Sequence, residues 1–340
     1  MMSLAMLIPA IDYRVVSFLL VPPLLALCMF AFGFYLLRRQ SIFGKSAWEE
    51  QVWRRDLLLW RVSTPENDNF FQVAQDIAQY WKPIFVTVAF SVGIAMLLFS
   101  VIWNVLSLLT TGTLTGLLEP NGNLLTLGLA LFVALGYGCG AVLGMWRARK
   151  RARDRVTYGD LRQRRLTDYR SIVFPCVLAG LIAYIIILTY LLAPYGGSDL
   201  HLQFISGRSI NLPKSPWLLG VVPAFMLVCI GILEAAMARL VVFARLLIMP
   251  DPVVARRADD MLRAMEIGML TGMEFWMIGT LMQVQCRLLV PLGTASQNGF
   301  YQIALFVAIL VGMFLVPLGL ILIGFFRGRL GGKVSGWIGW

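Results

Sequence analysis

Long apolar stretches separated by short charged connections follow one another along most of the chain. A transmembrane helix needs about 20 predominantly apolar residues, and seven stretches reach that length. The third, fourth and seventh contain no charged side chain, whereas the fifth and sixth carry glutamates. The pattern therefore predicts an all-α integral membrane protein with a single polytopic domain. Its predicted spans are residues 15–37, 84–110, 124–146, 171–193, 217–238, 265–290 and 301–326.

The distribution of lysine and arginine predicts which side of the membrane each connection faces. Of the 29 basic residues, 25 lie in the connections after the first, third, fifth and seventh spans, and 4 lie on the other face. Short connections rich in Lys and Arg stay in the cytoplasm. We therefore expect an external N-terminus and a cytoplasmic C-terminus in a plasma (inner) membrane. The net charge of +11 then indicates anionic lipids as partners, and no nucleic acid is expected.

Two connections on the basic side have sequence patterns that predict more structure than a flexible linker has. Residues 38–83 contain the capping-box spacing Ser46-x-x-Glu49 and tryptophans amid charges, which predicts an interfacial helical hairpin whose second helix starts near Thr64–Pro65–Glu66. Residues 147–170 hold ten basic and three acidic residues and form a predicted basic cytoplasmic loop. Both could contact lipid headgroups or dock a partner subunit. The candidate docking residues are Arg147, Arg149, Lys150, Arg151, Arg153, Trp48, Trp53 and Trp60.

Small residues recur at helical spacing within two spans. Gly136, Gly140 and Gly144 form a doubled GxxxG stripe in the third span, and Gly268 and Gly272 repeat the spacing in the sixth. Such faces let another helix backbone approach closely. We therefore expect these glycines to be helix-packing positions, with a neighbour in this chain or in another.

Carboxylates inside spans are costly and are candidates for function. Glu274 is expected near mid-membrane and Glu234 closer to the cytoplasmic side. One hypothesis is a proton or cation site that includes Gln283 and Gln285. The alternative is a structural carboxyl, either neutral or paired with Arg239 or Arg245.

The composition excludes several functional classes. With 59% hydrophobic and 14% charged residues, the chain is too apolar for a soluble protein. Its single histidine and five cysteines without CxxC spacing predict no metal site, and the motifs HExxH, GxSxG and Walker A are absent. No catalytic or cofactor-binding residue is expected, and no cofactor.

These patterns favour a non-catalytic, multi-pass subunit of a larger inner-membrane assembly, such as a secretion, conjugation or transport machine. Its expected partners are other membrane or cytoplasmic subunits. The alternative is a proton- or cation-coupled transporter or channel that uses Glu274 and Glu234, and an integral-membrane enzyme acting on lipid is a third hypothesis.

Overall fold

The described residues form a bundle of long helices with one short β-hairpin. A computed structural model describes residues 13–38, 70–111, 122–153, 165–195, 199–203, 209–213, 216–242 and 252–324. The helices are α1 (Tyr13–Arg38), α2 (Phe70–Thr111), α3 (Gly122–Arg153), α4 (Val173–Leu192), α5 (Pro216–Ala236), α6 (Pro252–Ala295) and α7 (Gly299–Gly324). Strands β1 (Asp199–Gln203) and β2 (Ser209–Pro213) pair antiparallel between α4 and α5.

Five of the described helices, α2, α3, α4, α5 and α7, are long and apolar enough to cross a membrane. The prediction of a helical, multi-pass membrane protein is confirmed at this level. In α1 the apolar helix Pro22–Arg38 is shorter. Helix α6 is long, but its carboxylates, glutamines and arginines lower its hydropathy.

Helix α6 lies at the centre of the bundle and contacts α3, α4, α5 and α7. From Ala258 to Met282 every residue is buried except Asp260 and Trp276, which are partly exposed. A helix that is buried all round forms the core of a bundle rather than one side of it. Helices α3, α4, α5 and α7 therefore surround α6, whereas α2 packs on α3 and α1 packs on α2.

The glycine stripe of α3 lies against the backbone of α2. A Cβ atom added at Gly140 would lie 2.6 Å from Val88 Cα, and one at Gly144 would lie 2.6 Å from Ile84 Cα. At Gly136 an added Cβ would lie 2.7 Å from Ala95 Cβ. The neighbour of this stripe is therefore a helix of the same chain.

Helices α6 and α7 also pack closely against each other at glycine residues. An added Cβ at Gly272 would lie 2.6 Å from the carbonyl oxygen of Gly319, and one at Gly279 would lie 2.9 Å from that of Gly312. Equal steps along these antiparallel helices place Ile323, where the last candidate span ends, level with Gly268. Gly268 is buried. In this register, α6 passes the end of the apolar span of α7 at about Gly268.

The structure differs from the predicted hairpin at residues 70–83. The prediction gave these residues to an interfacial helix separate from the second span, but they belong to the same continuous helix, α2. Residues 70–81 already follow a helical apolar pattern, and the helix continues through Pro83 into the span. The rest of the predicted hairpin, residues 39–69, lies outside the described residues.

Candidate functional site: two buried arginine clusters on α6

The first cluster is centred on Arg170, and we call it the Arg170 cluster: Arg170, Glu234, Thr271 and Glu274. Arg170 Nη1 donates to Glu274 Oε2 at 2.9 Å and lies 3.2 Å from Thr271 Oγ1. Its Nη2 donates to Glu234 Oε1. The side chains of Arg170 and Glu274 are 2% and 0% exposed, whereas that of Glu234 is 28% exposed. One guanidinium, on the segment just before α4, therefore joins α5 to α6.

The segment before α4 holds Arg170 in this position. Residues Leu166–Asp168 form a 3₁₀ turn, and the backbone N–H of Arg165 donates to Asp168 Oδ2 at 2.8 Å. The next residue, Tyr169, is buried and its hydroxyl donates to Asp260 Oδ1 of α6 at 2.8 Å. These contacts hold the backbone against α6 immediately before Arg170.

The level of Glu274 along the bundle follows from the register of α6 against α7. It lies six residues beyond Gly268, which is about 9 Å along a helix, and its partner Arg170 lies just outside the candidate span that starts at Val173. Glu274 therefore lies nearer to one end of the helices than to their middle, and its expected position near mid-membrane stays a prediction. The expected pairing of Glu274 with Arg239 is wrong, because Arg170 occupies that position. Arg245 lies outside the described residues.

The second cluster lies on the α3 side of α6, and we call it the Arg149 cluster: Tyr80, Arg149, Asp259, Arg263 and Glu266. Arg149 contacts Asp259 Oδ1 at 3.1 Å and Glu266 Oε2 at 2.8 Å. Arg263 Nε contacts Asp259 Oδ2 at 2.6 Å, and the Tyr80 hydroxyl donates to Glu266 Oε1. Two arginines and two carboxylates balance, so the cluster joins α2, α3 and α6 without net charge.

Burial of Arg149 corrects its assignment as a docking residue. Its side chain is 9% exposed, and its guanidinium lies 5.2 Å from the centre of the Tyr80 ring. A side chain bound in this way cannot also reach lipid headgroups. Residues 147–153 are also helical, as part of α3, rather than the start of a loop. Sequence analysis did not identify this site, because Arg149 and Arg170 lie within a run of basic residues, a pattern that is typical of a solvent-exposed loop.

Some of the other candidate docking residues are exposed, and the side chains of the rest lie outside the described part of the structure. Arg147 and Lys150 are exposed, and Lys150 Nζ lies 5.4 Å from the centre of the Trp146 ring. Arg151 and Arg153 lie on α3, but the structure does not describe their side chains. The tryptophans Trp48, Trp53 and Trp60 lie outside the described residues.

The four residues of the predicted intramembrane polar site do not converge. Glu234 and Glu274 share Arg170, but Gln285 lies eleven residues beyond Glu274, about 17 Å along α6. There its amide donates to Thr189 Oγ1 of α4 at 3.0 Å. Gln283 is partly buried and lies against Gly312 of α7. The two glutamines therefore contact different neighbouring helices and do not extend the Arg170 cluster.

One atom of the Arg170 cluster lacks a partner. Glu274 Oε1 is buried and receives no hydrogen bond, although the other oxygen of the same carboxyl is bonded to Arg170. Among the described residues, no group of three or more His, Cys, Asp or Glu side chains is placed to hold a metal ion. What the arrangement can do chemically is to join helices through ion pairs and to bind or release a proton on a carboxyl.

Comparison with known proteins adds no assignment to this geometry. The chain matches no model of a protein family, no curated protein and no solved structure.

Proposed function

We propose that this chain is a non-catalytic, multi-pass subunit of a larger inner-membrane assembly, such as a secretion, conjugation or transport machine. The observation that carries the proposal is that one guanidinium, that of Arg170, binds both intramembrane carboxylates. Carboxylates that are ion-paired in this way hold helices together. They do not line a path along which an ion could move freely.

The outer faces of α4 and α5 also support this role. A Cβ atom added at Gly180 of α4, or at Gly220 or Gly231 of α5, would meet nothing within 4 Å. In contrast, the stripe of Gly136, Gly140 and Gly144 in α3 lies directly against α2. Small residues that leave a helix backbone open are the positions at which another membrane helix can approach. These faces therefore suit partner subunits, and exposed Arg147 and Lys150 suit anionic lipids.

The proposed topology has seven crossings with the N-terminus outside. Its support is the length of α6: 44 residues extend about 66 Å, about twice the hydrocarbon thickness of a membrane. Helix α6 then crosses from about Gly268 onward, and its first part, with the Arg149 cluster, lies on the cytoplasmic side. Helix α1, with 26 residues, is long enough to be the first crossing.

Co-purification tests the subunit hypothesis. The tagged chain is extracted from its native membrane in mild detergent and its partners are quantified by mass spectrometry. A tagged, unrelated polytopic protein purified in parallel identifies contaminants. We expect partners in fixed stoichiometry that remain bound through size-exclusion chromatography. A chain that elutes only as a monomer or homodimer would contradict the proposal.

A proton- or cation-coupled transporter or channel using Glu274 and Glu234 is the second candidate. The unpartnered oxygen of Glu274 favours it, because an ion path needs a carboxylate that is not fully occupied. The test is proton and cation flux in liposomes containing the purified chain, with Glu274→Gln as the matched variant. Flux that the variant abolishes while its melting temperature is unchanged would favour the transporter over the subunit.

A further inference from the structure

The Arg170 cluster has more negative than positive groups. Within it, Glu234 and Glu274 face one guanidinium. The other atoms that the guanidinium contacts, Thr271 Oγ1 and the sulfur of neighbouring Met237, are neutral. With both carboxyls ionised, the cluster therefore carries one uncompensated negative charge.

No other described group near the cluster offsets that charge. Residues 173–192 of α4 and 299–324 of α7 contain no charged side chain. On the π-helical turn after α5, Arg239 is exposed, and the hydroxyl of Tyr137 on α3 is uncharged in its ordinary form. The nearest charges along α6, Arg263 and Glu266, belong to the balanced Arg149 cluster.

A net charge in this position is strongly unfavourable. Glu274 is fully buried, and its Oε1 receives no hydrogen bond that would stabilise a carboxylate. A buried ionised carboxyl needs both a counter-charge and hydrogen bonds. Glu234 is more exposed than Glu274 and is bonded to the same guanidinium, so a negative charge on Glu234 lies closer to solvent than one on Glu274.

We propose that the Arg170 cluster is a proton-binding site that holds one exchangeable proton, on Glu274, and that partly exposed Glu234 is where this proton is exchanged with the outside. The proton forms an O–H bond at Glu274 Oε1, while Oε2 continues to accept from Arg170. On release it passes as H⁺ to the Glu234 carboxylate, and Arg170 keeps its charge throughout. A metal cation is a poorer occupant, because it would lie beside the guanidinium and be repelled by it.

The site makes the bundle sensitive to pH in a defined direction. The folded chain holds a proton that an exposed glutamate gives up at neutral pH. Because the folded state then binds more protons than the unfolded state, stability falls as pH rises. Loss of the proton leaves the junction of α5 and α6 with excess negative charge. This inference does not depend on partner subunits, and it requires no transport.

Infrared spectroscopy of the purified full chain in detergent tests the proposal directly. At neutral pH we expect a C=O stretching band of a protonated carboxyl that shifts in D₂O. Glu274→Gln should remove this band. Glu234→Gln should remove it as well, because Glu274 then becomes the counter-charge of Arg170. The matched control Glu266→Gln, in the Arg149 cluster, should keep it.

Thermal melting across a pH series provides the second measurement. The wild-type melting temperature should fall reversibly with rising pH as the band disappears, whereas that of Glu274→Gln should not follow this change. If a variant fails to fold, the parallel titration of band and melting temperature in the wild type still decides. A wild-type chain without the band at neutral pH, or a band that survives Glu274→Gln, overturns the proposal. Loss of the band on adding Na⁺ at constant pH also overturns it, because the occupant would then be a cation.

Discussion

Gly140→Ala tests whether close backbone contact between α2 and α3 stabilises the bundle. An added Cβ would lie 2.6 Å from Val88 Cα and 3.0 Å from the carbonyl oxygen of Thr87. Both are backbone atoms, so a side-chain rotation cannot relieve the overlap. Ordinary contact begins at 3.4 Å, and the shortfall of 3.4 − 2.6 = 0.8 Å must come from separation of the two helices.

The cost follows from the neighbours that this separation affects. A gap of about 0.5–1 Å loses roughly a quarter to a half of the dispersion energy of each atom pair, and contacts at Gly136 and Gly144 lie on the same stripe. Overpacking of this kind costs about 1–3 kcal/mol. We therefore expect Gly140→Ala to lower the melting temperature in detergent by several degrees, and Gly140→Leu to lower it further.

Gly180→Ala is the matched control, because an added Cβ there meets nothing within 4 Å. Replacing glycine by alanine inside a helix is itself favourable by about 0.5–1 kcal/mol, so this control should melt at or slightly above the wild-type temperature. If Gly140→Ala melts together with Gly180→Ala, backbone contact along the stripe does not stabilise the bundle and the reasoning fails.

Two further predictions concern topology and the Arg149 cluster. A reporter fused after Gly159 should read cytoplasmic and one after Gly207 external; the opposite result at Gly159 would overturn the proposed orientation. Arg149→Gln should destabilise the chain by about 3–5 kcal/mol, because it leaves Asp259 and Glu266 with an unbalanced buried charge. The double variant with Glu266→Gln should cost less than the sum of the single variants, measured as melting in detergent, and strictly additive costs would show that the two groups do not interact.

The helical, multi-pass character could be predicted from the sequence because the apolar length of a helix is a local property. Gly140 illustrates the limit of such local information. Its spacing with Gly136 and Gly144 predicts a close approach, but the identity of the approaching helix depends on the packing of the whole bundle. The same holds for α6, whose predicted span of 265–290 covers only the more apolar part of a helix that runs over Pro252–Ala295.

The partners of the buried carboxylates could not be predicted, because they are distant in sequence. Arg170 lies 104 residues before Glu274 and ends a run of basic residues that resembles an exposed loop. A stronger local signal was available on α6 itself. Asp259, Arg263 and Glu266 are spaced by four and three residues, which places alternating charges on one helix face, and an apolar bundle can bury such a face only against a further charge.

The central position of polar helix α6 has a consequence for how the protein is made. A charged residue at the centre of a helix raises the cost of insertion from the translocon by about 2.5–3.5 kcal/mol, and α6 is not apolar enough to offset this easily. Its partners in other helices, the guanidinium groups of Arg149 and Arg170 and the Tyr80 hydroxyl, all lie in segments that the ribosome completes earlier. We therefore expect α6 to enter the bilayer beside helices that have already been inserted. Strongly apolar α7 follows directly and covers its remaining side, so Arg170 is already available to Glu274 when α6 inserts.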